Sequence, residues 1–521
     1  MGLSAVTIRD SSGGMNNRGN PATIADNESP SCYNVDLDQQ GKVQKRRGSL
    51  YLLSAAKASV VTSLVDFLNT DGTHKLVYTW GTKINSVNLD GTSDGDITGT
   101  VTLTSGQNTL FDTSYVTISN APALVMTNGT DPVIYWTGSG NVAVLSTATN
   151  MPTAAIACEW FGNYLLLGNV KDRTSGNWYR NYLTWSAVTD PTNWTSSNFI
   201  QIGSAADPIV AMVKIQKAIV VLKQNSIWSV VWDATNATFA ASIINPKVGC
   251  AARNTVAVAH NVVIWLSHDG IYKYDGRGGS QDEESIQKIS NKLDNESWAT
   301  NWNTARKDKA CAVFYSPRNQ YRIWLAEGST QDSNDKNQTY YAYHVLLDAW
   351  TKGSTDANCA VVVQQGQRLR LMVGDYTGQI NRLDYLDTST GNYVDTDNTV
   401  AYEAYWYTKD FDFGLAGLDK GWHKIIITVN TATTAQSLEV SQYIDYGDIK
   451  ETGSFSYQTP GVPLDQFVLD TDTLGGGTSL QGEILLSGYS RVVRFRFRNA
   501  SADQHFTIVD YTVQFEPATS Y

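Results

Sequence analysis

Short apolar runs alternate with polar turns along most of this chain, and within each run the alternation has period two. Five pieces repeat one design: "GTKINSVNLDG" at 81–91, "TDPVIYWTG" at 130–138, "QNSIWSVVWD" at 224–233, "HDGIYKYDG" at 268–276 and "YTGQINRLD" at 376–384. Each has a polar turn, an isoleucine, then alternating apolar or aromatic residues, and so reads as a half-buried strand. Each also follows another strand-like run: "HKLVYTW", "PALVMTN", "AIVVLK", "NVVIWLS" and "LRLMVGD". The repeated unit is therefore a hairpin. Two looser copies lie near 161–188 ("FGNYLLLGNV", "RNYLTWSAV") and near 319–350 ("NQYRIWLAEG", "YYAYHVLLDAW"), the second with a polar loop, "STQDSNDKNQ", between its strands. The hairpins recur every 35–70 residues, roughly, which is the chain a radial sheet of about four strands consumes. The pattern predicts an all-β fold: a β-propeller of about seven blades over residues 35–390.

The texture changes on either side of that array. From 391 onward the strands are longer, as in "HKIIITVNT", "SLEVSQYID", "RVVRFRFRN" and "FTIVDYTVQFEP", and residues 391–521 are expected to form a β-sandwich-like domain. Residues 1–34, rich in Gly, Asn and Ser, read as an extended N-terminal arm. Within the array, 278–309 carries apolar residues at wider spacing (Ile286, Ile289, Leu293, Trp298, Trp302) and is expected to be a partly helical excursion offering a contact surface.

Composition narrows the function. The chain of 521 residues is 11% aromatic and 17% charged, with 41 glycines and a net charge of −11. It lacks the long basic stripe by which tight nucleic-acid binders displace counterions. Five cysteines (Cys32, Cys158, Cys250, Cys311, Cys359) are odd in number and scattered, and are expected as buried free thiols. "MGLSAVTIRDSSGG" has no basic region followed by an apolar run, and no stretch is apolar enough for a membrane span.

Candidate chemistry is sparse, with no nucleophile elbow, P-loop, zinc-protease motif or dinucleotide fingerprint. His260 and His268 are the closest histidine pair and would share a metal only if a turn placed them side by side. Asp269, Asp275 and Asp375 would have to converge to act as glycosidase carboxylates, whereas Asp at hairpin turns ordinarily caps the local backbone. "DLDQQGKV" starts like a calcium loop (Asp36, Asp38, Gln40, Gly41), but Arg47 stands where the bidentate Glu belongs, and a hairpin turn with Gly at positive φ explains the same residues. The acidic loop with Asp90, Asp94 and Asp96 is a second calcium candidate. Aromatic residues near Asn suit sugar binding, against the plainer expectation of packing between blades. No catalytic, cofactor or metal residue is assigned.

The stretch "ADNESPSCYNVDLDQQGKVQKRRGSLY" resembles the N-terminal signature of the tail nozzle proteins of short-tailed bacteriophages, also called tail tubular protein B or packaged-DNA stabilisation proteins. The matching residues are Glu28, Pro30, Asn34, Gly41, Lys45, Arg46, Arg47 and Gly48. "VIWLSHDGIYKYDG" and "YYAYHVLLDAWTKG" look like propeller hairpins of the same family. The resemblance implies a virion protein made in the host bacterial cytoplasm. It implies a ring, usually of six copies, below the portal and head–tail adaptor. That ring closes the channel through which genomic DNA passes without sequence-specific binding, and it supports tail fibres or spikes. An acidic body would let DNA slide past. The segment with Asn34, Gly41, Lys42, Lys45, Arg46 and Arg47 is the assembly candidate. Its basic run is expected at a strand edge of the first blade, guarding that edge or pairing with an acidic neighbour. DNA contact is the alternative for the run, and a carbohydrate-binding or glycan-cleaving propeller used in host recognition is the alternative for the chain.

Overall fold

The computed structural model describes residues 2–104, 112–118, 121–276, 285–296, 301–328, 336–387, 392–430, 434–445, 447–458 and 479–518. Among these, seven four-stranded antiparallel sheets follow one another along the chain: 61–96, 112–144, 154–201, 209–245, 257–288, 311–354 and 359–383. They are the blades of a β-propeller, numbered 1 to 7 here. The seven hairpins legible in the sequence are the two middle strands of the seven blades. In blade 6 every residue of both middle strands, Gln320–Leu325 and Thr339–His344, is buried. Each neighbouring pair of blades shares an apolar cluster. Leu76, Val87 and Met372 join blades 7 and 1, and Val77, Leu124 and Trp136 join blades 1 and 2. Burial between blades, rather than within one, therefore holds the ring together.

Blade 7 is completed from a distant part of the chain. Its own segment supplies three strands, and the fourth is Ser49–Tyr51, paired with Ile380–Leu383 in the register Tyr51↔Asn381, Leu50↔Arg382, Ser49↔Leu383. This covers an edge that would otherwise be open.

The second domain is a two-sheet sandwich, and both ends of the chain build it. One sheet runs Ser479–Leu485, Lys420–Asn430, Thr507–Pro517, Val43–Lys45, Val35–Leu37, with Ser4–Ile8 also paired to Thr507–Pro517. The other runs Asp448–Tyr457, Gln436–Ile444, Val493–Asn499, Ala404–Tyr407, Cys32–Tyr33. Ile425, Ile427, Val513 and Phe515 from one sheet meet Val440, Phe495 and Phe497 from the other in the core. The propeller is thus inserted into the sandwich: the chain leaves it after Lys45, makes the whole ring, and returns.

This differs from the arm, propeller and C-terminal domain expected in linear order. Residues 1–34 are no separate extended arm, because strands Ser4–Ile8 and Cys32–Tyr33 belong to the sandwich. The propeller runs from 49 to 383 rather than from 35 to 390. Nor is 278–309 an excursion: Ile286–Lys288 is the outer strand of blade 5. Short 3-10 helices follow at Asn291–Glu296 and Thr304–Lys309, while Trp298 lies outside the described residues. Ile289, Leu293 and Trp302 are buried in a core shared by blades 5 and 6 and the sandwich, so they are not a contact surface.

Candidate functional site: the junction of propeller and sandwich

The residues of the N-terminal signature lie where the two domains meet. Asn34 sits between strands Cys32–Tyr33 and Val35–Leu37 with φ +53°, a left-handed conformation that Asn tolerates better than most residues. That kink aims both its backbone and its side chain at the outer strand of blade 6. Its amide N–H donates to the Lys352 carbonyl at 2.8 Å, and Oδ1 accepts the Ser354 amide at 2.9 Å. Nδ2 donates to the Glu403 carbonyl at 2.8 Å. One buried asparagine, 1% exposed, thereby caps a propeller edge with the sandwich.

Arg46 completes the clamp, and all five of its N–H donors are used. Nε donates to Asn34 Oδ1 at 2.8 Å, Nη1 to the Arg47 carbonyl and Asp397 Oδ1 at 3.0 Å each, and Nη2 to the Ser354 carbonyl at 3.0 Å and to Asp397 Oδ2. The guanidinium lies 3.8 Å from the Tyr402 ring centroid, and the Tyr402 hydroxyl donates to the Arg46 carbonyl. A forked, planar cation stacked on an aromatic face is a geometry Lys does not reproduce. Arg47 is half-buried; its Nη1 lies 3.2 Å from Asp395 Oδ1, and His505 Nδ1 is 3.2 Å from the same oxygen. Gly48 passes so close to the returning chain that a Cβ would lie 2.0 Å from the Thr396 carbonyl oxygen.

Lys45 is fully buried in the sandwich, where Nζ donates to Asn499 Oδ1 at 3.0 Å and to the Ser501 carbonyl at 3.1 Å. Burial pushes its ammonium down to about 8, against the pull of Asp395. Lys42 and Gly41 belong to the turn of the same hairpin: Asp38 Oδ1 accepts the Gln40 and Lys42 amides, and Gly41 takes φ +82°.

A second buried network stitches the hairpin to blades 6 and 7. Asp36, fully buried, accepts from Arg318 and, at 3.1 Å, from Gln320 Nε2. Arg318 Nε and Arg322 Nη2 share Asp384 Oδ2 at 3.3 and 2.9 Å. Burial would raise the Asp36 carboxyl, but Arg318, Arg322, His344 and Gln320 more than offset it and hold it well below the usual range. His344 in the same network is driven down to about 4 by burial, against the pull of Asp36 and with the push of Arg322 and Arg318.

These placements correct several expectations. The basic run is not an edge of the first blade; Val43–Lys45 is an interior strand of the sandwich, between Val35–Leu37 and Thr507–Pro517. Arg46 and Arg47 are paired with Asp397 and Asp395, while Lys45 is held by Asn499 and Ser501; Lys45 and Arg46 are buried and so offer no surface to DNA. Asp36 and Asp38 are not two ligands of one loop, since one faces Arg318 and the other caps its own turn. Asp90, Asp94 and Asp96 likewise part: to Thr92, to Tyr78 and Asn85, and to Lys83. His260 and His268 occupy opposite ends of strand Val262–Leu266 and bond to Asn319 and Gln224, so they share no site. Asp269 and Asp275 flank the short strand Ile271–Tyr274 of blade 5, whereas Asp375 caps a turn of blade 7 through the Thr377 and Gln379 amides. All five cysteines are buried free thiols. The acidic partners Asp397 and Asp384 and the stacking Tyr402 escaped the sequence reading, because nothing local ties them to a segment some 350 residues earlier.

The fold and junction together define a seven-bladed propeller interlocked with a sandwich. No family model and no curated protein matches this sequence. Among solved structures, the AfRom2 CNH domain is 11% identical with a TM-score of 0.36, covering 66% of this chain and 100% of that one. The Neurospora crassa Pan2 WD40 domain is 9% identical, TM-score 0.38, covering 67% and 98%. The computationally designed Ika8 protein is 12% identical, TM-score 0.35, covering 64% and 99%.

Proposed function

We propose that this chain is a structural virion protein rather than an enzyme. In this reading it is the subunit of a ring, six copies as the resembling family implies, at the distal end of a short phage tail. The ring lines and closes the DNA exit channel, joins a head–tail adaptor or portal above and supports fibres or spikes. The observation that carries the reading is the use made of the signature residues. Glu28, Asn34, Gly41, Lys45, Arg46, Arg47 and Gly48, on which the family resemblance rests, are all spent on locking or building the sandwich beside the propeller. A tube wall has to pass force between its neighbours without hinging, and a doubly connected, clamped pair of domains suits that task.

Electron microscopy of the purified chain, with and without a candidate adaptor ring, tests it. Six-fold top views with an axial hole are expected. A chain that stays monomeric in both conditions overturns the reading. The alternative, a carbohydrate-binding or glycan-cleaving propeller, is favoured by one feature, an aromatic hollow between blades 3 and 4.

A further inference from the structure

Blades 3 and 4 part at one end to leave a hollow of about 450 Å³, within the size range of small-molecule sites. Tight turns shape it. Gly162 and Asn163 take φ +59° and +69° between strands Ala154–Phe161 and Tyr164–Lys171, the arrangement of a two-residue hairpin turn. The Thr189 amide bonds to the Asn163 carbonyl at 2.7 Å and holds the next turn of blade 3 alongside. Phe161 and Phe239 are buried within the hollow, while Tyr164 and Trp232 are half-exposed at its side. Tyr164 and Trp232 stack on each other, 4.9 Å between centroids and 26° apart, and Phe239 meets both edge-on.

The polar groups around these rings are cationic or neutral. Lys214 and Lys217 are exposed at the rim, and Lys214 Nζ lies 5.9 Å from the Phe161 ring centroid. Among the described residues neither lysine has a carboxylate partner, and neither the Trp232 indole N–H nor the Tyr164 hydroxyl has a partner in the chain. The carboxylates at the outer turns of these blades are engaged locally: Asp190 accepts from Thr192, and Asp233 from Thr235 and Asn236. In a chain of net charge −11, the two ammonium groups at the rim give this aromatic hollow a local charge of the opposite sign.

We infer that this hollow binds an acidic saccharide, a sugar unit bearing a carboxylate. The C–H face of the ring rests on the open side of the Tyr164–Trp232 pair, the carboxylate meets Lys214 and Lys217, and the indole N–H and the phenol take sugar hydroxyls. A nucleobase fits less well, because the two rings that would sandwich it already stack on each other.

The test titrates the full chain with tetragalacturonate, with neutral maltotetraose and with a four-nucleotide single strand, followed by tryptophan fluorescence and calorimetry. Tetragalacturonate is expected to bind saturably and about tenfold more tightly than maltotetraose, with an affinity that falls as salt rises. The double variant Lys214→Ala/Lys217→Ala changes only exposed side chains, and should erase the preference for the acidic sugar. Trp232→Ala should weaken both sugars, and Trp178→Ala, elsewhere on blade 3, neither. The inference fails if tetragalacturonate, oligomannuronate and sialyllactose all leave the folded chain unchanged to millimolar concentration. It fails equally if the lysine variant binds as the parent does, or if the oligonucleotide outcompetes the sugars. A ring that ignores saccharides removes this site and leaves the nozzle reading, whereas a monomer that binds them does the reverse.

Discussion

At the residue scale the junction depends on one guanidinium. Arg46 is 3% exposed and holds Asp397, Asn34, Ser354 and Tyr402 at once. Arg46→Ala leaves Asp397 with the Ser49 hydroxyl but no cation and removes the group stacked on Tyr402, and should cost about 3 kcal/mol. Arg46→Lys keeps the charge but loses the fork and the stack, and should cost about 1–2 kcal/mol. Urea midpoints at constant slope measure both; a midpoint for Arg46→Ala equal to the parent's would mean that the clamp is idle. The neighbouring network predicts an acid limb in two parts. The folded chain protonates His344 only near 4, the unfolded chain near 6.5, so protons favour unfolding between these values. Stability should fall as pH drops through that window, by at most on the order of 3 kcal/mol from this group. Burial lowers His505 as well, and its effect has the same sign. Asp36 acts lower down: its carboxyl is depressed below 3.8, so its contribution is intact above that value and is lost as pH falls beneath it. Denaturation midpoints from pH 8 to 3 check this, and His344→Gln should flatten the upper part and leave the lower part standing.

At the element scale, what the sequence reveals depends on distance. The seven middle hairpins are legible because the partner strand lies a turn away and each apolar run is bounded by polar turns; burial at consecutive positions, as in Gln320–Leu325, makes these strands more deeply covered than the half-buried ones that alternation implies. Outer strands such as Gly95–Asp96 and Ala143–Val144 are two residues long and carry no periodicity. Cys32–Tyr33 is as short, and its partner Ala404–Tyr407 lies hundreds of residues away; Val43–Lys45 pairs nearby with Val35–Leu37 but on its other side with Thr507–Pro517, so the same stretch reads as an arm and a basic edge. "RVVRFRFRN" was plain for the opposite reason. Phe495 and Phe497 alternate inward while Arg494, Arg496 and Arg498 pair outward with Asp410, Glu439 and Glu403. The interleaving predicts a dependence between elements. Thr507–Pro517 pairs on one side with both Ser4–Ile8 and Val43–Lys45, so a fragment of residues 391–521 has an open edge and an uncovered core. That fragment should lack the near-ultraviolet circular dichroism of a packed sandwich and recover it when a peptide of residues 1–48 is added. A fragment that packs fully by itself would contradict the interleaved topology.

At the scale of the whole molecule, the propeller and the sandwich share their polypeptide twice over. The chain enters the ring through Gly48, closes blade 7 immediately with Ser49–Tyr51, and comes back past Thr396 and Asp397 against the same residues. A ring closed by a strand whose other end is a sandwich strand cannot open without loosening the sandwich, and Trp350 of blade 6 lies in the apolar core common to both. Two such domains should unfold as one cooperative unit rather than independently. Differential scanning calorimetry of the parent chain is expected to give a single transition whose calorimetric and van't Hoff enthalpies agree. Arg46→Ala should lower that transition without dividing it, because the closing strand Ser49–Tyr51 and the apolar core common to both domains still couple them. Two resolved transitions in the parent would mean that the domains are merely tethered, and the stiffness on which a tube wall depends would then have to come from contacts between copies rather than from within the chain.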